Sequence, residues 1–177
     1  MRGIIWCAVV CVFVAGCAPD PPDSDASPTL STPPPVTRPL DPSAYATEDT
    51  VCGLLTDEQI DTFDLPRNAK PHKRTETVFD CAREKEGGER WQLDYTLWLN
   101  VDLVGEWYDA QETLELLYIE GQPAAVNDLS DGRFCIVAVT LAEQKSVQVM
   151  GRGSRQEDAA CSHVISVAEQ MVRNIKG

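Results

Sequence analysis

Trp91-Gln92-Leu93-Asp94-Tyr95-Thr96-Leu97-Trp98-Leu99-Asn100 places apolar side chains at every odd position and mostly polar ones at every even position. Successive side chains of an extended chain point to opposite faces. An alternation this regular therefore predicts a strand with one buried and one mostly wet face. Upstream, Thr75 to Ala82 reads as a second strand, and Gly87-Gly88 reads as the hairpin turn between the two. Further upstream, Thr56 and Gln59 form a capping-box signature for a short helix, with Leu55 and Ile60 placed as its hydrophobic staple. Pro66 and Pro71 mark a loop after that helix.

Downstream the period changes. Leu103, Trp107, Ala110, Leu114 and Leu117 form the stripe of an amphipathic helix, expected to end near Glu115. Leu116 to Glu120 then turns into a strand, Gly121 and Pro123 mark a break, and Ala124 to Asn127 resumes extended structure. Asp131-Gly132 is a turn signal. Phe134 to Ala142 and Ser146 to Gly151 predict another hairpin around Glu143-Gln144-Lys145, and Gly151 to Gln156 a polar loop. The last helix is expected from Asp158 to Ile175, with Val164, Ala168, Met171 and Ile175 toward the sheet. Asp158 favours its positive end, Arg173 and Lys176 its negative end. This order predicts an α+β domain: a mainly antiparallel twisted sheet with helices packed on it.

The N-terminus reads as an address. Arg2 precedes an uncharged apolar run from Ile4 to Ala15, too short to span a bilayer as an ordinary helix but suited to a secretory signal. The run ends in Val14-Ala15-Gly16-Cys17, similar to the lipobox of bacterial lipoprotein precursors. Residues 1–16 are thus expected to be removed as a signal peptide, with Cys17 lipidated. Residues 17–50 are expected to form a lipidated, disordered tether. Residues 18–50 hold nine of the chain's twelve prolines and show no hydrophobic periodicity, so they cannot bury enough apolar surface to offset their ordering entropy. A single domain is expected over residues 51–177.

Composition narrows the partners. The formal net charge is −13, and losing Arg2 makes it one more negative. A surface of that sign repels phosphate backbones, so nucleic acid is not an expected partner. Seven cysteines sort by position. Cys7 and Cys11 leave with the signal and Cys17 takes the lipid, so Cys52, Cys81, Cys135 and Cys161 remain. An even set in an oxidising compartment predicts two disulfides. Zinc is disfavoured, because none of the four forms a close pair. Three pairings are possible. Cys52–Cys81 with Cys135–Cys161 is preferred because each pair is local, and each would stabilise by about 3.5 kcal/mol in the chain-entropy model.

Several features taken together resemble a known family. They are Cys52-Gly53-Leu54-Leu55-Thr56 before a short helix, Cys81 before a hairpin, and Tyr118-Ile119-Glu120-Gly121-Gln122-Pro123-Ala124-Ala125. Cys135 in a strand of alternating valines follows, and Ala160-Cys161 opens the last helix, with Ala168 beyond. With the lipobox and the Pro-rich tether, the chain resembles the DUF3558 lipoproteins, an actinobacterial family classed as a domain of unknown function. Ala82-Arg83 stands where that resemblance implies an aromatic residue. It implies export, lipidation and an α+β fold, and no activity.

Catalytic constellations are thin. His72 sits in a Pro- and Lys-rich stretch, and His163 follows Cys161, which the disulfide reading leaves without a free thiol. Ser154 lacks a nucleophile-elbow motif. Asp128, Ser130 and Asp131 read as a turn, and Glu112 and Glu115 as a solvated helix face. Trp98, Trp107 and Tyr108 are the candidate binding residues. Trp98 points to the polar side of its strand, where either a ligand or a covering helix would meet it. The sequence thus predicts a non-enzymatic, lipid-anchored protein on the extracytoplasmic face of the cell membrane, without a cofactor. Its expected partners are the membrane, through the lipid, and a protein or small molecule. The alternatives are an accessory subunit of an envelope membrane complex and, behind it, an envelope hydrolase.

Overall fold

The computed structural model describes residues 35–84, 91–110, 114–129, 132–153 and 159–177. The predicted strand is β3, Trp91–Trp98. Trp91, Leu93, Tyr95 and Leu97 are buried, as the alternation requires. Around it lie β1 (Ala69–Thr75), β2 (Val78–Arg83), β4 (Glu115–Ile119), β5 (Gln122–Leu129), β6 (Phe134–Ala142) and β7 (Lys145–Gly153). They form one seven-stranded sheet in the order β1-β2-β3-β7-β6-β5-β4, antiparallel throughout. Three helices accompany it: α1 (Asp57–Thr62), α2 (Leu103–Ala110) and α3 (Ala160–Lys176). The fold is α+β, as expected.

The register divides the sheet into two faces. Cys81 pairs with Tyr95, Tyr95 with Val149, Val149 with Val137, and Val137 with Val126. This row belongs to the main core, which α3 closes with Val164, Val167, Ala168, Met171 and Val172. α1 and the 3₁₀ turn Val51–Leu54 cover the same face further along, through Val51, Leu54, Leu55 and Ile60. The capping box is present: the Gln59 N–H donates to Thr56 Oγ1 at 3.3 Å, and the Thr56 N–H donates to Gln59 Oε1 at 2.9 Å. The disulfides are Cys52–Cys81 and Cys135–Cys161, with Cα separations of 5.2 and 5.0 Å. The first ties the 3₁₀ turn to β2, the second ties β6 to α3.

α2 lies on the opposite face. Leu103 and Val104 pack on Leu116, Ala125 and Ala138 in a second, smaller core. The Asp102 carboxylate caps α2 by accepting the Gly105 N–H at 3.3 Å, and it also accepts the Thr140 hydroxyl at 2.6 Å. Ser146 Oγ accepts the Leu103 N–H at 3.1 Å and donates to the Val101 carbonyl at 3.0 Å. These bonds fix α2 over β5, β6 and the near end of β7.

The structure corrects several boundaries. The folded unit begins before residue 51. The Leu40 N–H donates to the Leu141 carbonyl at 2.7 Å, Gln122 Nε2 donates to the Arg38 carbonyl at 2.9 Å, and Leu40 is buried. Pro71 lies inside β1 rather than in a loop. β1 is an edge strand, where a missing N–H facing outward costs no ladder bond. Thr75 belongs to β1, and β2 starts at Val78. α2 is described as far as Ala110, and it does not reach Glu115, which with Leu117 belongs to β4; residues 111–113 lie outside the described residues. Pro123 is in β5, and the break is only the two-residue turn Glu120-Gly121. Both have positive φ, 52° and 79°, the conformation of a tight hairpin. β7 runs on to Gly153 instead of yielding to a loop at Gly151. Gly87-Gly88, Asp131 and Asp158 lie outside the described residues.

Candidate functional site

Among the described residues α2 covers β5, β6, part of β7 and the Trp98 end of β3, and leaves the rest of the polar face of β1, β2 and β3 uncovered. Its side chains form two rows across the strands. Lys70 stands opposite Ala82, Ala82 opposite Asp94, and Asp94 opposite Met150. His72 stands opposite Asp80, and Asp80 opposite Thr96. Ala82 is the small residue in the middle, and the longer side chains around it wall a groove of about 440 Å³. Lys70, His72, Arg74, Asp80, Glu84, Gln92, Asp94, Thr96 and Met150 are among the residues that line it.

The cations sit on the edge strand and the carboxylates on the floor. Arg74 pairs with Asp80, and Lys70 with Glu84. Arg74 is 55% exposed at its side chain, whereas Asp80 as a residue is only 8% exposed. Arg74 engages Oδ2 of Asp80. The second oxygen, Oδ1, is buried and has no hydrogen-bond partner among the described residues. A buried charged oxygen without a donor violates the usual satisfaction of polar groups. One strand over, burial holds the Asp94 carboxyl above the usual carboxylate range, and the nearby charges of Glu84 and Asp80 push the same way. Three carboxylates against two permanent cations leave the groove acidic.

The aromatic candidates lie elsewhere. Trp98, Trp107 and Tyr108 are brought together, half-buried, against the small core under α2. The covering helix accounts for Trp98 on the polar side of β3. None of the three lines the groove. Cys52, Cys81, Cys135 and Cys161 are held in disulfides. His163 stacks on Trp91 with ring centroids 4.0 Å apart and meets Phe63 edge-on at 5.9 Å. His72 is exposed on β1. Asp128 and Glu115 are exposed at strand ends. Cys17, Glu112, Ser130, Asp131 and Ser154 lie outside the described residues. Among the described residues no group of three His, Cys, Asp or Glu side chains converges as a metal site. No described helix is long and apolar enough to cross a membrane.

Sequence reasoning missed the groove. Lys70, His72 and Arg74 fall in a stretch that reads as a loop, and Asp80 and Asp94 read only as the wet side of their strands. The available signal was that two acids, Asp80 and Asp94, and the short Ala82 share one face of adjacent strands.

A family model described as "Protein of unknown function (DUF3558)" matches residues 12–174. No curated protein matches, and no solved structure matches.

Proposed function

Since the chain belongs to the family described as protein of unknown function (DUF3558), we propose that it is a lipid-anchored binding protein of the cell envelope whose open sheet face receives a small polar ligand. Cys17, at the end of Val14-Ala15-Gly16-Cys17, carries the lipid. Two or three acyl chains contribute well over 10 kcal/mol of membrane affinity, at about 0.8 kcal/mol per buried methylene. The Pro-rich stretch after it holds the domain away from the bilayer, on the extracytoplasmic side.

The observation that carries the ligand reading is the Asp80 carboxylate, buried in the floor of a groove with one oxygen unpartnered. The groove's size suits a small molecule. Arg74 with Asp80 and Lys70 with Glu84 are ion pairs rather than a base aimed at a nucleophile, which favours binding over catalysis.

Two experiments test the two halves. Cells grown with labelled palmitate should yield labelled protein, and Cys17→Ala should abolish the label; an unlabelled wild type ends the anchor. Thermal-shift screening of small polar molecules should give hits that disappear in Ala82→Trp, which fills the groove. Hits that survive this substitution place binding elsewhere.

A further inference from the structure

We infer that the groove binds a cationic nitrogen, the ammonium or guanidinium group of a small molecule, between Asp80 and Asp94 above Ala82. This rests on the reading of the groove as a ligand site. Asp80 and Asp94 are diagonal neighbours on adjacent strands, since Asp80 stands opposite Thr96 and Asp94 opposite Ala82. Diagonal positions on one face lie roughly 7 Å apart, within joint reach of one ligand. Ala82, between Lys70 and Asp94, leaves the space such a group would enter.

Three observations select a cation. Oδ1 of Asp80 is an acceptor only, and it lacks a donor among the described residues. An N–H from the ligand satisfies it, whereas another anion cannot. The lining also shows what these carboxylates take: Asp80 already holds the Arg74 guanidinium at its other oxygen, and Glu84 holds the Lys70 ammonium. Finally, Lys70 and Arg74 are engaged in those pairs at the rim, so an anion such as phosphate would have to break them over an acidic floor. Asp94 supports the same choice. Its charge is disfavoured by burial and by Glu84 and Asp80. A bound cation offsets that repulsion and so favours the ionised form of Asp94. The groups facing Asp94 are Lys70, His72 and Arg74 from β1, Asp80 from β2 and Glu84 just after it, Gln92 and Thr96 from its own strand, and Arg152 of β7, diagonal to it across Met150.

The test is isothermal titration of spermidine into the full chain in detergent, at physiological salt. Asp80→Asn and Asp94→Asn should each weaken binding about tenfold or more, the scale of one charged hydrogen bond. Glu143→Gln, an exposed acid in the β6–β7 turn, should change it less than about twofold. Wild-type affinity should fall as pH drops through the Asp94 titration, and this dependence should vanish in Asp94→Asn. Circular dichroism checks each variant's fold; Asp94→Asn removes no ion pair among the described residues, so it keeps the test valid if Asp80→Asn unfolds. Unchanged affinity in Asp94→Asn, or equal losses in Glu143→Gln, overturns the inference. Succinate and phosphate run as parallel arms. If either binds and Ala82→Trp abolishes it while spermidine is indifferent to the groove, the cation is wrong and the groove stands. If Ala82→Trp affects no probe, both fall.

Discussion

Gly151 offers a quantitative check on how α3 closes the main core. It lies in β7 between Leu93 of β3 and Cys135 of β6, on the face beneath α3. A methyl group added there would sit 2.3 Å from Cγ2 of Val164, 3.5 Å from Cδ1 of Leu93 and 3.7 Å from Cβ of Val164. The first contact is more than about 1 Å inside the favourable carbon–carbon range, and the other two are ordinary. Gly151→Ala should therefore cost about 1–3 kcal/mol as an overpacking substitution, slightly offset by the lower chain entropy of the unfolded state. In a domain of this size that lowers Tm by roughly 4–12 °C. Val164→Ala removes the clashing methyl and, made alone, costs about 2 kcal/mol for lost burial and the cavity it leaves. In the double variant the added methyl keeps only the ordinary contacts, 3.5 Å to Cδ1 of Leu93 and 3.7 Å to Cβ of residue 164. The two changes should thus compensate, with a coupling of about 1–2 kcal/mol measured by urea denaturation of all four proteins. Additivity within about 0.5 kcal/mol would refute this account of the helix–sheet contact.

Other consequences are as direct. Replacing both members of either disulfide with alanine should lower stability by about 3.5 kcal/mol, from loops spanning 29 and 26 residues, read from urea midpoints; a loss under 1 kcal/mol would contradict it. Arg83 is 2% exposed, and its guanidinium donates to the Pro66 carbonyl at 3.1 Å and the Cys52 carbonyl at 3.3 Å. Arg83→Ala should cost about 3 kcal/mol, and Arg83→Met, which keeps the stem and removes the buried charge, should cost clearly less; equal losses would assign the effect to the lost guanidinium hydrogen bonds rather than to packing. Asp94 titrates above the usual carboxylate range, so its contribution to stability is full at low pH and is lost as pH rises through its raised value. Asp94→Asn should consequently raise Tm at pH 7 and flatten the pH profile, and a lower Tm would reverse the sign. Hydrogen bonds from Arg173 and Lys176 hold Glu120 below its ordinary value. Its contribution is present at neutral pH and lost as pH falls through that lowered value, so Glu120→Gln should make the acid limb shallower in thermal scans from pH 6 to pH 3; an unchanged or steeper limb would contradict it.

What the sequence made legible was whatever packing imposes locally. The alternation through Trp91–Leu99 exposes β3 because one face of that strand is dry. Thr56 and Gln59 mark α1 because a helix N-terminus needs its N–H groups satisfied. The two local cysteine pairs match the observed bridges. β1 stayed hidden because an edge strand lined with Lys70, His72, Lys73 and Arg74 has no buried face to impose a period. Pro123 misled because the β5–β6 ladder begins only at Ala124, so Pro123 needs no donor toward β6. Arg38 to Thr50 looked like tether because a Pro-rich segment can pack through a few residues, Leu40 and Tyr45 among them, without periodicity. The groove was illegible for another reason. Alternation shows which residues leave the core, and it does not show which half of the polar face a helix will cover.

That division explains why the site lies where it does. Both halves of the second face contain buried polar groups. Under α2 the hydroxyls are closed into bonds: Thr140 donates to Asp102, and Ser146 bridges Val101 and Leu103, while the Trp98 indole N–H there is buried without a partner among the described residues. In the open half, one Asp80 oxygen is left without a donor and Asp94 is held against its own ionisation. A face needed only as solvated surface has no reason to bury a carboxylate this way, because serine or threonine there would remove the cost. Local rules tend to be broken where function requires it, with the cost met by the rest of the fold. Here the fold can bear it: two disulfides, a closed main core and the clamp of Arg83 and Tyr95 on the Cys52 carbonyl lie on the opposite face. Stability is concentrated on one side of the sheet, and the electrostatic tension a ligand can relieve is on the other.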